Sequence, residues 1–396
     1  MLAFSGGLDT SFCIPYLRER GYEVITLFVD TGGTDAKTVA EIEARARKLG
    51  AIEHVTEHGD NEVWRDIVVP LVMGNELYQN QYPLLVSDRY VIVKKAIDLC
   101  KARGTKNFAH GCTGMGNDQV RFDLAVRALG DWNILAPIRD IQSDHKEVRA
   151  YERQYLEKLG FGVPAKQTRY TINENLLGVT MSGSEIDEWK APSSETRQLV
   201  RERAEWPSSP LELNVTFERG QAVALDNAPL TGPDILRALN DRLGRYGIGR
   251  GVYTGDTTVG LKGRIVFEAP GIIGLITAHR ALEEAVLTAQ QNAMKPTLAR
   301  KWVELVYKGF FYEPLKADIE AYLRSSQQFV TGTVTLSSEG GTLLATAVDS
   351  PHLLRSKGAV YAQSADWSAK EAEGFIRLLG QSAELSAKVN PVDNTQ

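Results

Sequence analysis

The sequence predicts an α/β fold in which a doubly wound parallel sheet is followed by an α+β domain and a C-terminal helix. Three observations support this prediction. Apolar runs that are typical of buried strands alternate with helical spacing from residue 1 to residue 159. Two candidate β-hairpins, separated by helices, follow in the second half. Ser368 and Glu371 then form a capping box, the pattern that starts a final helix.

The first half begins with a short strand and a glycine-rich loop. Residues 1–4 predict the end of a strand, and residues 10–20 predict a helix that Gly21 ends. The apolar run at residues 23–30 predicts a buried strand. Further along we expect helices at 37–49, 87–103, 117–129 and 143–159 and strands at 107–112 and 132–138. This alternation of strands and helices favours a parallel sheet.

The second half has a different character. Residues 211–226 predict a hairpin that turns at residues 218–220, and residues 331–348 predict another that turns at Gly340 and Gly341. Helices are expected near 233–245, 272–290 and 295–308. We therefore divide the chain into three parts, at residues 1–163, 164–366 and 367–396.

The composition is that of an ordinary globular protein, with 43% hydrophobic and 24% charged residues in a chain of 396. A net charge of −5 gives no general basic field, so we expect no nucleic-acid partner. No apolar run approaches the ~18–20 residues that span a bilayer, so we expect no membrane partner. Three scattered cysteines and the lack of a signal-peptide pattern predict a cytoplasmic protein.

The stretch AFSGGLDTS, residues 3–11, lies between the first strand and the first helix. In open α/β sheets, ligands bind at the carboxyl ends of the strands. Gly6 and Gly7 would let the backbone approach an anion closely, and the helix would add its positive N-terminal end. Hydroxyl donors are available from Ser5, Thr10 and Ser11. The stretch therefore predicts a cradle for a phosphate or a pyrophosphate.

Asp9 in this loop predicts a cation, because its carboxylate would repel a phosphate unless Mg²⁺ lies between them. No lysine follows the glycines, so the loop is not a Walker A motif. The structural alternative is a glycine-rich turn in which Asp9 or Thr10 caps the helix. The position between a strand and a helix favours the functional interpretation.

A second polar stretch, HGCTGMGNDQVRF at residues 110–122, also follows a strand and opens a helix. Asn117 and Arg121 are four residues apart and share one helix face. Arg121 could clamp a carboxylate with two parallel hydrogen bonds, and Asp118 could hold an ammonium. Together with Thr113, these groups suit a zwitterionic amino acid at a helix N-terminus. The alternative is a capping Asn117 with a surface arginine.

The first loop resembles S-G-G-x-D-[ST], the pyrophosphate-binding loop of the N-type ATP pyrophosphatases. These enzymes adenylate a substrate and release pyrophosphate. The second stretch resembles H-G-x-T-G-K-G-N-D-Q-x-R-F, the signature of the argininosuccinate synthase family, with Met115 in place of the lysine. Further segments are similar to that family, at residues 82–89, 170–183, 259–271, 278–284, 301–314 and 372–380.

Membership of this family would imply a fold and a reaction. The first part would be an adenine nucleotide alpha hydrolase-like domain, the second a synthetase and multimerisation domain, and the C-terminal helix an arm of a homotetramer. The enzyme would join citrulline and aspartate with ATP and Mg²⁺ through citrullyl-AMP, giving argininosuccinate, AMP and pyrophosphate for arginine biosynthesis. Such chemistry needs positioning and charge neutralisation more than a nucleophilic side chain.

The resemblance also assigns residues by motif position. ATP would be bound by Ala3, Phe4, Ser5, Gly6, Gly7, Leu8, Asp9, Thr10, Ser11, Val29 and Gly111. Within this set Ser5, Asp9 and Thr10 would act in catalysis by positioning and electrostatics, with Asp9 in indirect contact with Mg²⁺. Aspartate would be bound by Thr113, Asn117 and Asp118. Citrulline would be bound by Tyr82, Ser87, Asn117, Arg121, Thr171, Thr180, Gly255 and Phe267.

Four of these positions depart from the family pattern. Thr171 and Thr180 replace serines, which keeps the hydroxyl and adds a methyl. Gly255 stands where the family has a glutamate, beside Asp256, and Phe267 stands where it has a tyrosine. Each lost polar contact could contribute roughly 1–3 kcal/mol. Ordinary citrulline is the expected substrate, and an N-acylated citrulline is the alternative.

Two rival functions share the nucleotide loop. A tRNA-thiolating enzyme would want a basic face and a pair of working cysteines. The net charge of −5 and the scattered Cys13, Cys100 and Cys112 disfavour it. A non-catalytic nucleotide sensor would fit the substitutions at Met115, Gly255 and Phe267. Release of pyrophosphate from ATP, citrulline and aspartate would distinguish an enzyme from it.

Overall fold

The computed structural model describes residues 1–162, 169–356 and 358–390. The boundary predicted between residues 163 and 164 and the tail from residue 391 lie outside these residues. The chain divides into two units, Met1–His352 and Leu353–Gln396. Within the described residues, no helix combines the length and the apolar character that crossing a membrane requires.

A five-stranded parallel sheet forms the first part of the larger unit. Its strands are β1 (Leu2–Ala3), β2 (Ile25–Asp30), β3 (Glu53–His58), β4 (Asn107–Ala109) and β5 (Asn133–Leu135). They lie in the order β3-β2-β1-β4-β5, and every neighbouring pair is parallel. The order reverses between β1 and β4, and ligands bind at such switch points in doubly wound sheets. The predicted fold class is therefore confirmed for this part.

The first helix packs its apolar face against the centre of this sheet. The helices of this part are α1 (Leu8–Glu19), α2 (Ala36–Lys48), α3 (Asp60–Val63), α4 (Val69–Gly74), α5 (Arg89–Ala102), α6 (Asp118–Ala128), α7 (Pro137–Gln142) and α8 (Val148–Lys158). Phe12 and Ile14 of α1 share one buried cluster with Leu2 of β1 and Leu156 of α8. Because this cluster fixes both β1 and α1, it holds the two ends of the loop that connects them.

The structure corrects the sequence analysis at two strands, one that was missed and one that was predicted too long. The sequence analysis missed β3, because EHVTEH lacks the apolar run of a buried strand; β3 lies at the edge of the sheet. The strand predicted at residues 132–138 ends at Leu135. Pro137 lacks an N–H and starts α7, which ends the strand early.

Two antiparallel sheets follow in the same unit. Their strands are β6 (Thr171–Asn175), β7 (Gly178–Ser182), β8 (Leu211–Glu218), β9 (Gln221–Leu225), β10 (Ala228–Pro229), β11 (Arg250–Asp256), β12 (Lys262–Glu268), β13 (Gly332–Ser338) and β14 (Leu343–Asp349). One sheet has the order β11-β12-β7-β6, and the other has the order β10-β9-β8-β13-β14. Both predicted hairpins form, and β8 pairs with β13 to join them in one sheet. The sheet that contains β6 and β12 was not predicted, because TINEN in β6 is mostly polar.

Helices complete this unit and the smaller one. They are α9 (Gly232–Gly244), α10 (Pro270–Val286), α11 (Ala289–Lys308), α12 (Pro314–Ser326) and, in the smaller unit, α13 (Ala369–Val389). The predicted capping box starts α13, since Glu371 Oε2 accepts from Ser368 N at 2.7 Å and Ser368 Oγ from Glu371 N at 3.3 Å. The apolar side chains of Phe375, Ile376 and Leu379 on α13 are exposed.

Candidate active site

The loop between β1 and α1 leaves the N-terminal end of the helix open. Gly7 immediately precedes α1, and no side chain from the described part of the chain caps it. The interpretation of Asp9 or Thr10 as the helix cap is therefore wrong. Gly6 has φ +75°, and a Cβ there would lie 3.0 Å from Ile42 Cγ1, so only glycine fits this turn without strain. The backbone N–H groups in the first turn of α1 therefore remain available to donate hydrogen bonds to an anion.

The three hydroxyls of this loop do not play the same part. Ser5 Oγ and Thr10 Oγ1 lie 3.2 Å apart, and Ser5 is exposed. The Ser11 side chain is buried instead, and its Oγ accepts from Arg45 Nε at 2.6 Å. Ser5 and Thr10 are thus placed for a ligand, whereas Ser11 supports the loop. Sequence reasoning missed Arg45, because its position on α2 fits an ordinary polar helix face.

The side chains of Ala3, Phe4 and Leu8 are buried, so their contact with a nucleotide would run through the backbone. Val29 is buried near the end of β2. A Cβ at Gly111 would lie 3.0 Å from Thr10 Cγ2 and 3.2 Å from Thr10 N. The loop after β4 therefore lies directly against the loop after β1. The structure brings the predicted ATP-binding residues together at the switch point of the sheet.

Asp9 belongs to a buried carboxyl pair. Glu152 of α8 is fully buried close to Asp9, and neither oxygen of its carboxyl has a hydrogen-bond partner among the described residues. Burial and then the charge of Asp9 raise the pKa of Glu152 to about 8. Burial also raises the pKa of Asp9, against the opposing charge of Arg149. Burial and the neighbouring negative charge therefore favour the protonated form of Glu152. Neither Glu152 nor Arg149 carried a signal in the sequence.

The variant Glu152→Gln tests this raised pKa, because glutamine keeps the shape of the side chain and cannot ionise. A carboxyl whose folded pKa is raised contributes stability at low pH, and that contribution is lost between its ordinary value of 4.5 and about 8. From about pH 5 to about pH 9 we expect the variant to gain roughly 1–3 kcal/mol of unfolding free energy relative to wild type. Urea unfolding at the two pH values measures this gain, and an equal difference at both would contradict it.

The second loop, after β4, is held by its own polar contacts. Gly114 N donates to Gln142 Oε1 at 2.5 Å, and Gln119 Nε2 donates to Gly114 O at 2.6 Å. Thr113 in this loop is half-buried, whereas Met115 is 73% exposed. The loop thus presents Thr113 beside the start of α6 and leaves Met115 in solvent.

Four charged residues form a network, here called the ionic frame: the buried Asp88, Arg89 and Arg121 and the half-buried Asp118. Arg89 Nη1 donates to Asp88 Oδ1 at 2.7 Å, and Arg89 Nε donates to Asp118 Oδ2 at 3.2 Å. Arg121 Nη1 donates to Asp118 Oδ1 at 2.8 Å. Burial alone would raise the pKa of Asp118, but the two guanidiniums outweigh burial and lower it. Asp118 is therefore ionised and fixed in orientation.

The ionic frame connects three elements of the fold. Thr31 Oγ1, after β2, donates to Asp88 Oδ2 at 3.1 Å. Arg89 Nη2 donates to Asn173 Oδ1 of β6 at 3.1 Å. Sequence reasoning missed Asp88, Arg89 and Asn173 as site residues, because their partners lie far away in the chain. The only signal was that all three residues lie in segments similar to the family, at 82–89 and 170–183.

Four polar groups of this region are buried and have no hydrogen-bond partner among residues 1–162, 169–356 and 358–390. They are Tyr82 Oη, Ser87 Oγ, Arg121 Nη2 and Thr258 Oγ1. Tyr307 of α11 lies among them, with its ring centroid 6.0 Å from that of Tyr82 and 4.9 Å from Arg121 Cζ. A buried polar group left unsatisfied costs about 1–3 kcal/mol, so such groups point to a missing ligand. Three of the four were predicted as citrulline-binding residues.

The remaining predicted citrulline-binding residues lie on the smaller antiparallel sheet. Thr180 of β7 is buried and pairs across the sheet with Phe267 of β12, whose ring packs edge-on against Tyr82 at 5.8 Å. Thr171 of β6 is engaged elsewhere, since its hydroxyl accepts from Arg149 Nη2 at 2.9 Å. The structure therefore brings Thr180 and Phe267 to Tyr82 and gives Thr171 a different partner.

Gly255 and Asn117 are both held by contacts within the protein. Gly255 is buried near the end of β11, and Asp256 beside it forms an ion pair with Lys262. Asn117 Oδ1 accepts from Thr258 N at 2.9 Å, and Asn117 Nδ2 donates to Tyr307 Oη at 3.4 Å. The start of α6 is thus tied to the connection between β11 and β12.

Comparisons with known proteins indicate the same family over nearly the whole chain. Residues 1–157 match the family model described as "Arginosuccinate synthase N-terminal HUP domain", and residues 170–386 match "Arginosuccinate synthase C-terminal domain". A curated argininosuccinate synthase from Xanthomonas axonopodis pv. citri is 63% identical over 390 residues, which is 98% of this chain and 95% of the relative. One from Xylella fastidiosa is 59% identical over 98% of this chain and 97% of the relative. One from Methanocaldococcus jannaschii is 34% identical over 97% of each.

Proposed function

The chain belongs to the argininosuccinate synthase family of C–N bond-forming ligases, and from that premise we propose how its residues carry out the reaction. Citrulline and aspartate are joined at the expense of ATP through citrullyl-AMP, giving argininosuccinate, AMP and pyrophosphate. The observation that carries the proposal is the set of four buried polar groups without partners beside the ionic frame. Buried polar groups without partners among the described residues suit a polar ligand such as an amino acid.

ATP lies across the switch point, with its phosphates in the loop of residues 3–11. Two features support this: the uncapped start of α1 and the close approach of Gly111 to Thr10. Ser5 and Thr10 donate to the phosphates, and Val29 lies beside the adenine. Ser11 contributes through its support of the loop.

Mg²⁺ fits this site as a partner of the phosphates rather than as an ion in a protein cage. Among the described residues, no group of three or more His, Cys, Asp or Glu side chains could hold a metal. Asp9 offers one carboxylate at the phosphate loop, and Mg²⁺ usually takes one or two carboxylates together with substrate phosphates. When bound, the ion neutralises negative charge that the loop donors alone leave on the phosphates.

The two amino acids share the region around α6. Asp118, which is ionised, holds the ammonium of aspartate, and Thr113 and Asn117 hold its polar groups. Arg121 Nη2, Tyr82 Oη and Ser87 Oγ hold citrulline, and Thr180 and Phe267 line its pocket. Thr171 and Gly255 complete the proposed set. The ureido oxygen of citrulline attacks the α-phosphorus, pyrophosphate leaves, and the aspartate amine then displaces AMP.

Measurement of pyrophosphate release tests this proposal. The full-length protein is incubated with ATP, Mg²⁺, citrulline and aspartate, and both pyrophosphate and argininosuccinate are measured. A parallel reaction replaces citrulline with N-acylated citrulline, and another replaces it with tRNA. Preference for ordinary citrulline supports the proposal. Preference for the acylated compound changes the substrate, and the absence of pyrophosphate in every reaction leaves the nucleotide-sensor interpretation in its place.

We also propose a homotetramer in the cytoplasm, in which residues 1–163 bind the nucleotide, 164–366 form the synthetase and multimerisation domain, and 367–396 form an arm. The exposed apolar side chains of α13 support the arm, and three free cysteines support a reducing compartment. Removal of residues 367–396 should lower the number of subunits per particle, as calculated from the mass measured by light scattering. An unchanged number of subunits would count against the arm.

A further inference from the structure

The side chain of Gln79 makes three hydrogen bonds to the end of β11, where the connection to β12 begins. Gln79 Oε1 accepts from Tyr253 Oη at 2.8 Å and from Asp256 N at 3.1 Å, and Gln79 Nε2 donates to Asp256 Oδ2 at 2.8 Å. Gln79 lies in a tight turn in which Tyr82 N donates to Tyr78 O at 3.0 Å. One amide therefore joins the turn that carries Tyr82 to the end of β11.

Gly255 provides the space that this amide occupies. A Cβ at Gly255 would collide with Gln79 Oε1 and with Tyr253 Oη. The φ of Gly255 is not in the left-handed region, so the backbone itself does not require glycine. The absence of a side chain at position 255 and the presence of Gln79 therefore form a matched pair. In this chain the polar contact next to Tyr253 comes from residue 79 rather than from residue 255.

The anchored connection places Thr258 beside the start of α6. Thr258 N donates to Asn117 Oδ1 at 2.9 Å, while Thr258 Oγ1 is buried without a partner in the described ranges. Its neighbour Thr257 differs, because its hydroxyl has two partners. Thr257 Oγ1 donates to Leu261 O at 2.7 Å and accepts from Leu261 N at 3.1 Å. The connection therefore uses the hydroxyl of Thr257 for its own fold and leaves that of Thr258 unused.

We propose that Thr258 is a further substrate-binding residue that contacts citrulline through its hydroxyl, and that Gln79 is the positioning residue that holds it there. This inference rests on the proposed function. Citrulline is favoured over aspartate because Tyr253, which Gln79 holds, packs on Tyr82 with ring centroids 5.3 Å apart. A threonine hydroxyl can donate to a carboxylate or carbonyl oxygen and accept from an ammonium, so it suits either polar end of an amino acid.

Steady-state kinetics of Thr258→Val test the contact, because valine keeps the shape and removes the hydroxyl. We expect the KM for citrulline to rise about fivefold or more, with kcat and the KM for ATP unchanged. Thr254→Val is the matched control, since Thr254 is a nearby threonine on β11 with an exposed side chain. An unchanged KM for citrulline in Thr258→Val, or a rise confined to the KM for aspartate, overturns the inference.

A double-mutant cycle tests the positioning role. Gln79→Ala and Gly255→Ala should each raise the KM for citrulline, because each removes the anchor. The double variant should be no worse than Gly255→Ala alone, because the new methyl already displaces the amide of Gln79 and presses on Tyr253 Oη. Effects that simply multiply would overturn the role of Gln79. A wild-type protein that releases no pyrophosphate with citrulline refutes the proposed function and this inference together, whereas an active wild type with an unaffected Thr258→Val refutes the inference alone.

Discussion

Replacing Arg121 with methionine should reduce kcat/KM for citrulline by about 100-fold or more. The substitution removes Nη2, the one charged donor among the four unpartnered groups, and hydrogen bonds to charged groups contribute about 1.5–3 kcal/mol each. It also removes one of the two guanidiniums that lower the pKa of Asp118 and hold it in place. Loss of both effects should act on citrulline binding and on the aspartate side of the reaction.

Arg127 provides the matched control for this experiment. It is an arginine on the same helix, and its side chain is exposed. Arg127→Met should leave kcat/KM near the wild-type value. Arg121→Lys should recover only part of the activity, because a lysine keeps the charge without the planar fork. A KM for citrulline that is unchanged in Arg121→Met, in a protein that still binds ATP, would show that Arg121 serves the fold alone.

Replacing Gly6 with alanine should weaken ATP binding by about tenfold or more. Alanine at φ +75° costs about 1–2 kcal/mol, and its Cβ would press on Ile42 Cγ1 at 3.0 Å. The turn relieves this strain by moving, and it carries with it Ser5 and the open end of α1. Calorimetric titration with ATP measures the loss.

Gly21→Ala separates this effect from a general loss of stability. Gly21 also has a positive φ, +83°, but no atom lies within 4 Å of the place of its Cβ among the described residues. Gly21→Ala should therefore lose only the unfolding free energy that a positive φ costs alanine, about 1–2 kcal/mol, and only Gly6→Ala should lose ATP affinity. Equal ATP affinities in the two variants would rule out a special role for the turn at Gly6.

The sequence was most informative where function depends on local chemistry. A glycine at φ +75°, a helix start without a cap and a polar stretch after a strand all produce short patterns that a single sequence displays. The alternation of strands and helices was also sufficient to predict the parallel sheet, because helical and extended spacing differ over short windows.

The sequence was least informative where a residue acts through a distant partner. Arg89 contacts Asn173, and Gln79 contacts Tyr253 and Asp256, across separations that no local pattern encodes. Glu152 looks like any charged residue of an amphipathic helix until its partner in α1 is known. Such residues become visible only when the fold places them.

The ionic frame has a consequence for the response of the enzyme to salt. Its two carboxylates and two guanidiniums cancel, so the frame is electrically neutral before any ligand arrives. Citrulline is also neutral overall, because its ureido group is uncharged, and its entry leaves the net charge of this region unchanged. Because ionic strength acts mainly on exposed, uncompensated charge, the binding of citrulline should be nearly insensitive to it. Sensitivity to ionic strength should reside in the binding of the two anionic substrates, aspartate and the highly charged triphosphate that meets an open loop.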